Sequence, residues 1–376
     1  MKDFTQGNEA KQVFFFALPM LFGNVFQQLY NTVDSIIVGR VLGEGSLAAV
    51  GSSFPIIFLM ISLIMGVTMG STIIIAQSFG AKNMENVKKA MDTAYIFLLI
   101  STICITIIGL IISGPILRLL NVPDEIFSEA KTYLDIMFIG MVGMFGYNSI
   151  SAILRGLGDS KRPLYFLIVS TVINIVLDIV FVLVFRWGVA GAAWATVIAQ
   201  ALSFVGAFIY LVKTNPLFRF DIKNIQFDRG IFISSLKIGL PTGVQQTLVS
   251  IGMMSVQSLV NGFGTVTMAA YTAAGRLDSF AMMPAMNFSQ AITSFVGQNI
   301  GAGKPERAKR GYAATVIMSG IISIIISLVM ILWGRQLMML FNTNPEVIDT
   351  GCRYLLIVSS FYIVFSTMFA TNGLIR

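Results

Sequence analysis

Two polar side chains interrupt an apolar run at residues 172–180, which read VINIVLDIV. Asn174 and Asp178 are four residues apart, and a helix places residues with that spacing on one face. An ionised carboxylate inside a bilayer costs at least about 2.5 kcal/mol on insertion scales, so such acids normally face a cavity and mark the path of an ion or substrate. The Asn174–Asp178 pair therefore predicts half of a site for a proton or a cation.

A second carboxylate, Asp34, lies on a polar stripe of the first apolar segment. Gln27, Tyr30 and Asn31 precede it at spacings of three and four residues, so these side chains share one helix face. Asp34 and Asp178 both fall toward the outer ends of their predicted helices. We therefore expect the two acids to meet at similar depth in one cavity, with Gln27, Tyr30 and Asn31 lining the part that receives substrate.

A third acid, Asp278, also lies well inside an apolar run. The sequence leaves two interpretations open, an ion pair with Arg276 or a position that faces the substrate. Met282 is one of several nearby methionines that would suit an adaptable substrate cavity, although ordinary packing explains them as well. These residues predict a polar feature in the second half of the chain without fixing its role.

The apolar segments that contain these residues are predicted to be helices that cross a lipid bilayer. The chain of 376 residues is 56% hydrophobic and 11% charged, whereas a soluble domain carries about 25% charged residues. Ten continuous apolar runs are each long enough to span a bilayer. Their continuity favours helices over a β-barrel, so we predict an all-α integral membrane protein. The runs cover approximately residues 13–38, 54–79, 93–114, 133–154, 163–186, 190–212, 235–260, 272–297, 312–333 and 354–375.

Several classes of function are excluded or disfavoured by composition. The chain has no histidine, which removes histidine metal sites and Ser-His catalysis. Its two cysteines indicate no disulfide framework. The phosphate-binding pattern GxxxxGK[ST] is absent, so an ion gradient is the expected energy source and no cofactor is predicted. An intramembrane enzyme would need a nucleophile, base or metal cluster that the sequence does not show, and we predict a non-enzyme.

The basic residues predict the orientation of the chain. Seventeen of the 25 lysines and arginines fall in one set of loops and six in the opposite set. Because positive residues concentrate on the cytoplasmic side, the N-terminus is expected to be cytoplasmic, in a prokaryotic-type inner membrane. The net charge of +7 is mainly this topology signal, and nucleic-acid binding is not expected.

An internal repeat divides the chain at an offset of about 221 residues. LLNVPDEIFSEAKTYL at 119–134 aligns with LFNTNPEVIDTGCRYL at 340–355, and LAAV at 47–50 with MAAY at 268–271. Pro19 and Pro241, early in the first helix of each copy, are candidate hinges or static kinks. The repeat predicts an N-lobe at 1–212, a cytoplasmic linker at 213–234 and an incomplete C-lobe at 235–376. Two six-helix bundles are expected in the parent fold, with about ten of twelve helices present.

The repeat also serves as an internal control for the polar residues. Helix packing alone explains many polar residues in membrane helices, through hydrogen bonds worth about 0.6 kcal/mol on average. On sequence alone this reading fits Asn148 and Thr196 as well as a site role does. The position equivalent to Asp34 in the second copy is Ser255 or Val256, and Asn148 aligns with Phe369. This divergence favours a function particular to the first lobe.

Several motifs together resemble the multidrug and toxic compound extrusion (MATE) family over the whole chain. They are LPMLFGNVFQQLYNTVDSIIVG, GSSFP, GAKN, SAILRGLGDSKRP, NIVLD and GAAWAT, in that order. The resemblance implies two six-helix bundles around a V-shaped cavity, and export of organic cations and other drugs in exchange for Na+ or H+. A monomer that alternates between outward-open and inward-open states is expected.

The resemblance also implies roles for individual residues. Asp34 matches the first-helix acid of an N-lobe cation site, which would hold a proton or Na+ together with four further polar residues. Those residues are Asn148, Asn174, Asp178 and Thr196. Gln27 and Tyr30 match cavity residues, and Pro19 matches a proline at which the first helix bends. Some members of the family carry a helix-seven glutamate as part of a C-lobe cation site, and it has no counterpart in PTGVQQTLVSIGMM. The N-lobe site is therefore the one that the resemblance implies for this chain. A lipid-linked sugar flippase of the same superfamily is the alternative, although it would require a strongly cationic cavity.

Overall fold

The computed structural model describes residues 2–120, 122–214 and 225–376, and these ranges contain helices and no strand. Short π-helical turns follow α1 at Val38–Leu42 and α6 at Ile179–Val184. The all-α prediction is confirmed. Within the described ranges the helices are α1 (Glu9–Ile37), α2 (Glu44–Gly80), α3 (Met84–Leu119), α4 (Asp124–Ile139), α5 (Met141–Gly156), α6 (Lys161–Asp178), α7 (Gly188–Thr214), α8 (Arg229–Asn261), α9 (Thr265–Gly301), α10 (Pro305–Met339), α11 (Pro345–Ser359) and α12 (Tyr362–Ile375).

Each of the ten predicted spans falls on one helix or on one pair of consecutive helices. Five helices in the described residues are long and apolar enough to cross a membrane: α1, α3, α6, α7 and α10, with the π turns counted into α1 and α6. The pairs α4–α5 and α11–α12 raise the number to seven when each is counted as one span. These segments support an integral membrane protein.

The predicted spans 133–154 and 354–375 are not single straight helices. The chain bends by 47° between α4 and α5, at Gly140, and by 48° between α11 and α12, around Phe361. At the first bend the backbone approaches its neighbour so closely that a Cβ on Gly140 would lie 2.1 Å from a methyl of Val197. Apolar periodicity predicts the span but does not reveal a break at which both halves stay helical.

The two bends show that the sequence repeat is also a structural repeat. The Thr106 hydroxyl on α3 donates to the Phe138 carbonyl at 2.9 Å, and the Ser327 hydroxyl on α10 donates to the Ser359 carbonyl at 2.6 Å. Both the donors and the acceptors are separated by the repeat offset of 221 residues. A hydroxyl of a neighbouring helix thus satisfies a carbonyl at each break, where the backbone ladder is interrupted.

The starts of α2 and α9 repeat as well. Gly43 and Gly264, again 221 residues apart, precede these helices with φ angles of 94° and 91°. This is a conformation that residues with a Cβ rarely adopt. The two copies therefore share the same turn chemistry at an equivalent helix entry.

The described chain forms two compact units. Unit 1 comprises Met1–Lys2 and Phe22–Gly243, and unit 2 comprises Asp3–Leu21 and Val244–Arg376. The division falls inside α1 and α8, in each case shortly after the internal proline, Pro19 or Pro241. Of the predicted linker at 213–234, residues 215–224 lie outside the described residues. The predicted lobe boundaries stay a prediction.

Unit 1 has an apolar core in which α2, α3, α4, α5 and α7 pack together. Leu117, Leu134, Phe138 and Met141 are completely buried there. Helices α5 and α7 approach closely, since a Cβ on Gly143 would lie 2.8 Å from the backbone nitrogen of Ala201. This packing fixes α7 beside the helices that carry the polar residues of the unit.

Unit 2 incorporates the N-terminal segment of the chain. Phe4 is fully buried beside Phe16 and Phe295, and its backbone N–H donates to Gln298 Oε1 at 3.0 Å. The Phe4 carbonyl accepts from Arg307 Nε at 3.0 Å and from Asn299 Nδ2 at 3.2 Å. The segment before α1 is thus anchored in unit 2 through the buried Phe4.

Candidate ion-coupling site

Helix α6 contributes the Asn174–Asp178 face that the sequence singled out. Asn174 is 1% exposed and Asp178 is 0% exposed, so both side chains point into unit 1. With its amide nitrogen directed at Asp178, Asn174 donates to Asp178 Oδ2 over 3.1 Å, and its oxygen accepts from the backbone N–H of Thr196 at 3.2 Å. In the opposite orientation the amide makes one long contact, 3.5 Å to Thr196 Oγ1. The first arrangement satisfies both ends of the carboxamide.

Helices α7 and α1 complete this cluster. Thr196 on α7 is 7% exposed, and its Oγ1 accepts a hydrogen bond of 3.3 Å from the Tyr30 hydroxyl on α1. Tyr30 also lies within electrostatic range of Asp34 and Asp178. The structure therefore brings together residues of the first, fifth and sixth predicted spans.

The two carboxylates of the cluster have oxygens that no protein group satisfies. Oδ1 of Asp34 and Oδ1 of Asp178 are buried and accept no hydrogen bond from the described residues. Asp34 and Asp178 interact electrostatically with each other, and no described lysine or arginine forms an ion pair with either acid. Two like charges in a low dielectric repel strongly. A proton or a bound cation would relieve this repulsion and use the open lone pairs.

Tyr133 on α4 is a member of the cluster that the sequence analysis missed. Its side chain is 7% exposed and lies within electrostatic range of Tyr30, Asp34 and Asp178. An aromatic residue in an apolar helix carries no distinctive signal by itself. The signal that was available is the repeat, which aligns Tyr133 with Tyr354.

Three other predicted residues of unit 1 occupy different surroundings. Gln27 and Asn31 are exposed on α1, on the polar stripe that leads to Asp34. Asn148 on α5 is half-buried, and its amide donates to the Met144 carbonyl of its own helix at 2.8 Å. The roles of Gln27 and Asn31 in substrate binding and of Asn148 in coupling stay predictions.

Unit 2 has its own buried acid. Asp278 on α9 is 7% exposed, and its Oδ2 accepts from the Tyr354 hydroxyl of α11 at 2.9 Å while its Oδ1 accepts from the Tyr362 hydroxyl of α12. Tyrosine hydroxyls, rather than Arg276, are therefore its partners. Met282 lies one helical turn further along α9 and is half-buried.

The described residues contain no multi-acid metal centre. Among the described residues, no group of three or more histidine, cysteine, aspartate or glutamate side chains could hold a metal ion together. The unit 1 cluster instead offers two carboxylates, a carboxamide and hydroxyls. Oxygen ligands of these kinds suit hard cations.

Comparisons with known proteins identify the family. A family model described as MatE matches residues 19–180 and 241–376. A probable multidrug resistance protein of Bacillus subtilis, YpnP, is 35% identical over 375 residues, which are 100% of this chain and 84% of the relative.

Solved structures agree with the sequence matches. A crystal structure of MATE in the bent conformation superimposes with a TM-score of 0.92 at 26% identity, covering 99% of this chain and 82% of that chain. An outward-facing multidrug resistance MATE family transporter of the MOP superfamily gives the same TM-score and identity, with 99% and 83% covered. The chain belongs to the MATE family of transporters.

Proposed function

We propose that this protein exports small lipophilic molecules, many of them cationic, in exchange for Na+ or H+. The single observation that carries the proposal is the acid pair of unit 1, whose buried Oδ1 atoms lack partners among the described residues. The names of the relatives, which include multidrug resistance proteins, support the substrate class. The basic loops favour an inner membrane with a cytoplasmic N-terminus, and a monomer is sufficient for the mechanism.

Each residue of the cluster has a separate role in ion coupling. Asp34 and Asp178 supply the negative charge that a proton or Na+ neutralises. Asn174 holds Asp178 Oδ2 and the α7 backbone at fixed distances, and the Thr196 and Tyr30 hydroxyls supply further oxygens. Ion binding then neutralises part of the negative charge of the site, which weakens its attraction for a cationic substrate. Exchange follows only if the outward-open and inward-open states differ in affinity for the ion.

Helix α1 is the element through which the ion would act on conformation. It carries Tyr30 and Asp34 in unit 1, and it remains one continuous helix through Pro19. A proline inside a helix removes one backbone hydrogen bond and permits bending. We propose that Pro19, and Pro241 at the equivalent place in α8, allow these helices to change curvature during transport.

The test is efflux from proteoliposomes that contain a fluorescent organic cation and are subjected to either a Na+ or a pH gradient. Asp178→Asn preserves size but removes the charge, and gradient-driven efflux should be lost. Asp135→Asn is the matched control, because Asp135 is an acid of the same unit that already pairs with Lys131 at 2.6 Å.

Three outcomes would change the proposal. If Asp178→Asn exports with normal coupling, the unit 1 cluster is a packing device. If wild-type protein responds to neither gradient, the exchange mechanism is wrong. Transport of a lipid-linked sugar without drug export would establish the flippase alternative.

A further inference from the structure

Helices α6 and α7 of unit 1 share an apolar face that stays half exposed in the described chain. Six side chains on it, at spacings of three and four residues, are each between 46% and 57% exposed. Such spacing places each set of three on one side of its helix, and in a membrane these sides contact acyl chains. The six are Val169, Val172 and Val176 on α6, and Leu202, Val205 and Ile209 on α7.

The two sets lie on the same side of the helix pair. The helices pack together in opposite directions, since Ser203 on α7 donates to the Phe166 carbonyl on α6 at 2.7 Å while Thr196 lies beside Asn174. At about 100° per residue, each set is rotated about 90–130° in the same sense from the residue that contacts the partner helix. In an antiparallel pair, equal rotations bring both sets to one side, with a groove between them.

This groove ends between two basic residues. Arg162 immediately precedes the predicted span 163–186, and Lys213 immediately follows the predicted span 190–212. Both continue the helical spacing of the exposed sets, so they carry the apolar face to the depth of the lipid headgroups. Helix α6 with its π turn has 24 residues, about 36 Å. The exposed Trp187 beyond its far end marks the other interface, where tryptophan is enriched.

Arg162 is held where the two helices meet. Its guanidinium carbon lies 5.4 Å from the ring centroid of Tyr210 on α7, which is a cation–π contact. The Tyr210 ring in turn packs on Phe166 of α6, with centroids 6.0 Å apart. Lys213 lies one turn beyond Tyr210, so both cations flank the same end of the groove. A guanidinium can bind a phosphate through two N–H groups while it keeps a ring contact.

The protein does not balance the charge at this place. Lys213 forms no ion pair with a described residue, and Arg162 approaches only Asp159 Oδ2, at 3.8 Å. The other oxygen of Asp159 accepts the backbone N–H groups of Lys161 and Arg162, each at 3.2 Å, so this acid caps α6. Lys161 is exposed as well. Three basic residues therefore surround one acid at this end of the pair.

Basic residues near the starts of other helices are paired with acids. Lys89 on α3 lies 2.7 Å from Glu85, and Lys309 on α10 lies 2.7 Å from Glu306. The excess of positive charge at the end of the α6–α7 groove is thus not a general property of helix ends in this chain. Positive charge at the end of an exposed apolar groove is complementary to an amphiphile with a negative headgroup.

We propose that the α6–α7 groove binds one acidic phospholipid, with its phosphate at Arg162 and Lys213 and its acyl chains on the apolar face. In the orientation proposed above, this lipid belongs to the cytoplasmic leaflet. The inference goes beyond the proposed function, since binding requires neither the coupling ion nor a transport substrate.

The experiment measures lipid binding to purified full-chain protein by native mass spectrometry. Protein in detergent micelles is titrated with phosphatidylglycerol or with phosphatidylcholine of the same acyl chains. Both lipids contain a phosphodiester, but only phosphatidylglycerol has a net negative charge. The variants are Arg162→Gln, Lys213→Gln and the double variant. Lys89→Gln is the matched control, because it removes a cation of the same unit that Glu85 already balances.

The wild-type protein should bind its first phosphatidylglycerol about 25-fold more tightly than phosphatidylcholine. Each single variant should lose about fivefold of this preference, since one basic residue at a membrane surface contributes about that factor. The double variant should not distinguish the two lipids, and Lys89→Gln should behave as wild type. An unchanged preference in the double variant overturns the proposal. A loss in Lys89→Gln as large as in the single variants also overturns it, because net charge would then be the cause.

A second comparison distinguishes a bound phospholipid from a bound free anion. Glycerol 3-phosphate carries the phosphate without acyl chains, and it should not displace phosphatidylglycerol from the wild-type protein. Displacement at concentrations equal to that of the lipid would mean that the apolar face contributes nothing, and the lipid site would be rejected. Equal affinity of the wild-type protein for the two lipids would reject it as well. Both results are obtained without any variant, so they decide the proposal even if the double variant does not fold.

Discussion

The acids of the two units differ in the hydrogen bonding of their carboxylate oxygens. In unit 1, Asp34 and Asp178 each keep an oxygen that is bonded to no described group. In unit 2, both oxygens of Asp278 accept tyrosine hydroxyls. The unit 1 site therefore has a larger negative charge and more open lone pairs. A proton or a cation would therefore relieve more repulsion in unit 1, because the hydroxyls around Asp278 already compensate part of its charge.

This comparison shows how one repeated scaffold can carry two different polar sites. The bends, the hydroxyl–carbonyl bonds at the bends and the entries to α2 and α9 are common to both copies. The acids are not. Backbone geometry is repeated, whereas the chemistry is placed separately in each copy.

The largest effect is expected from the acids of unit 1. Asp34→Asn and Asp178→Asn should each lower gradient-driven efflux by up to about 100-fold, because coupling free energies of this size are typical between linked sites. The double variant should be little worse than either single one, since both acids serve one ion. Efflux measured under both gradients checks this. Additive losses would mean that the two acids act at separate sites.

The next effect concerns the residue that positions Asp178. Asn174→Ala removes the donor to Oδ2 and leaves the Thr196 backbone N–H without its acceptor. Loss of such buried hydrogen bonds typically costs about 1–3 kcal/mol. We expect ion affinity, measured as the gradient that half-saturates efflux, to fall about tenfold. Asn174→Asp would restore an acceptor for Thr196 but add a third charge, and it should not rescue coupling.

A smaller effect separates the two repeated tyrosines. Tyr354→Phe removes a hydrogen bond to Asp278 and leaves a buried carboxylate oxygen without its donor, which typically costs about 1–3 kcal/mol. The Tyr133 hydroxyl makes no hydrogen bond with the unit 1 acids among the described contacts, so Tyr133→Phe should lower the unfolding temperature less. Thermal unfolding of both variants provides the measurement. Equal losses in the two variants would show that the tyrosines have the same role.

The smallest effect among the predicted coupling residues is expected at Asn148. Its amide bonds to the Met144 carbonyl of the same helix, and Asn148→Ala should lower efflux by no more than about threefold. Its thermal unfolding temperature serves as the control for folding. A tenfold loss of efflux at unchanged stability would establish that Asn148 contributes to the ion site.

The sequence predicted the acids better than their neighbours. Asp34 and Asp178 stand out because a charge breaks an apolar run, and Asn174 follows from its helical spacing. Thr196 was proposed mainly from the family resemblance, since a threonine in a membrane helix is ordinary. The tyrosine partners of Asp278 lie 76 and 84 residues further along the chain. Contacts at such separations depend on tertiary packing, which local patterns do not encode.

The positions of the helices were predicted better than the breaks within them. Apolar runs located every span, because burial in lipid requires them. The breaks at Gly140 and Phe361 were not foreseen, because each half remains apolar and helical. The assignment of residues 3–21 to unit 2 was likewise not expected, since the repeat implied that each copy is continuous in sequence.

The buried position of Phe4 has a consequence for the synthesis of the protein. Phe4 bonds to Gln298, Asn299 and Arg307, which are synthesised almost 300 residues after it. Unit 2 therefore cannot complete its packing around Phe4 until the start of α10 has been synthesised. Contacts of such high sequence separation form slowly. A large fusion partner placed directly before Phe4 should therefore lower the yield of folded protein more than the same partner placed after Arg376.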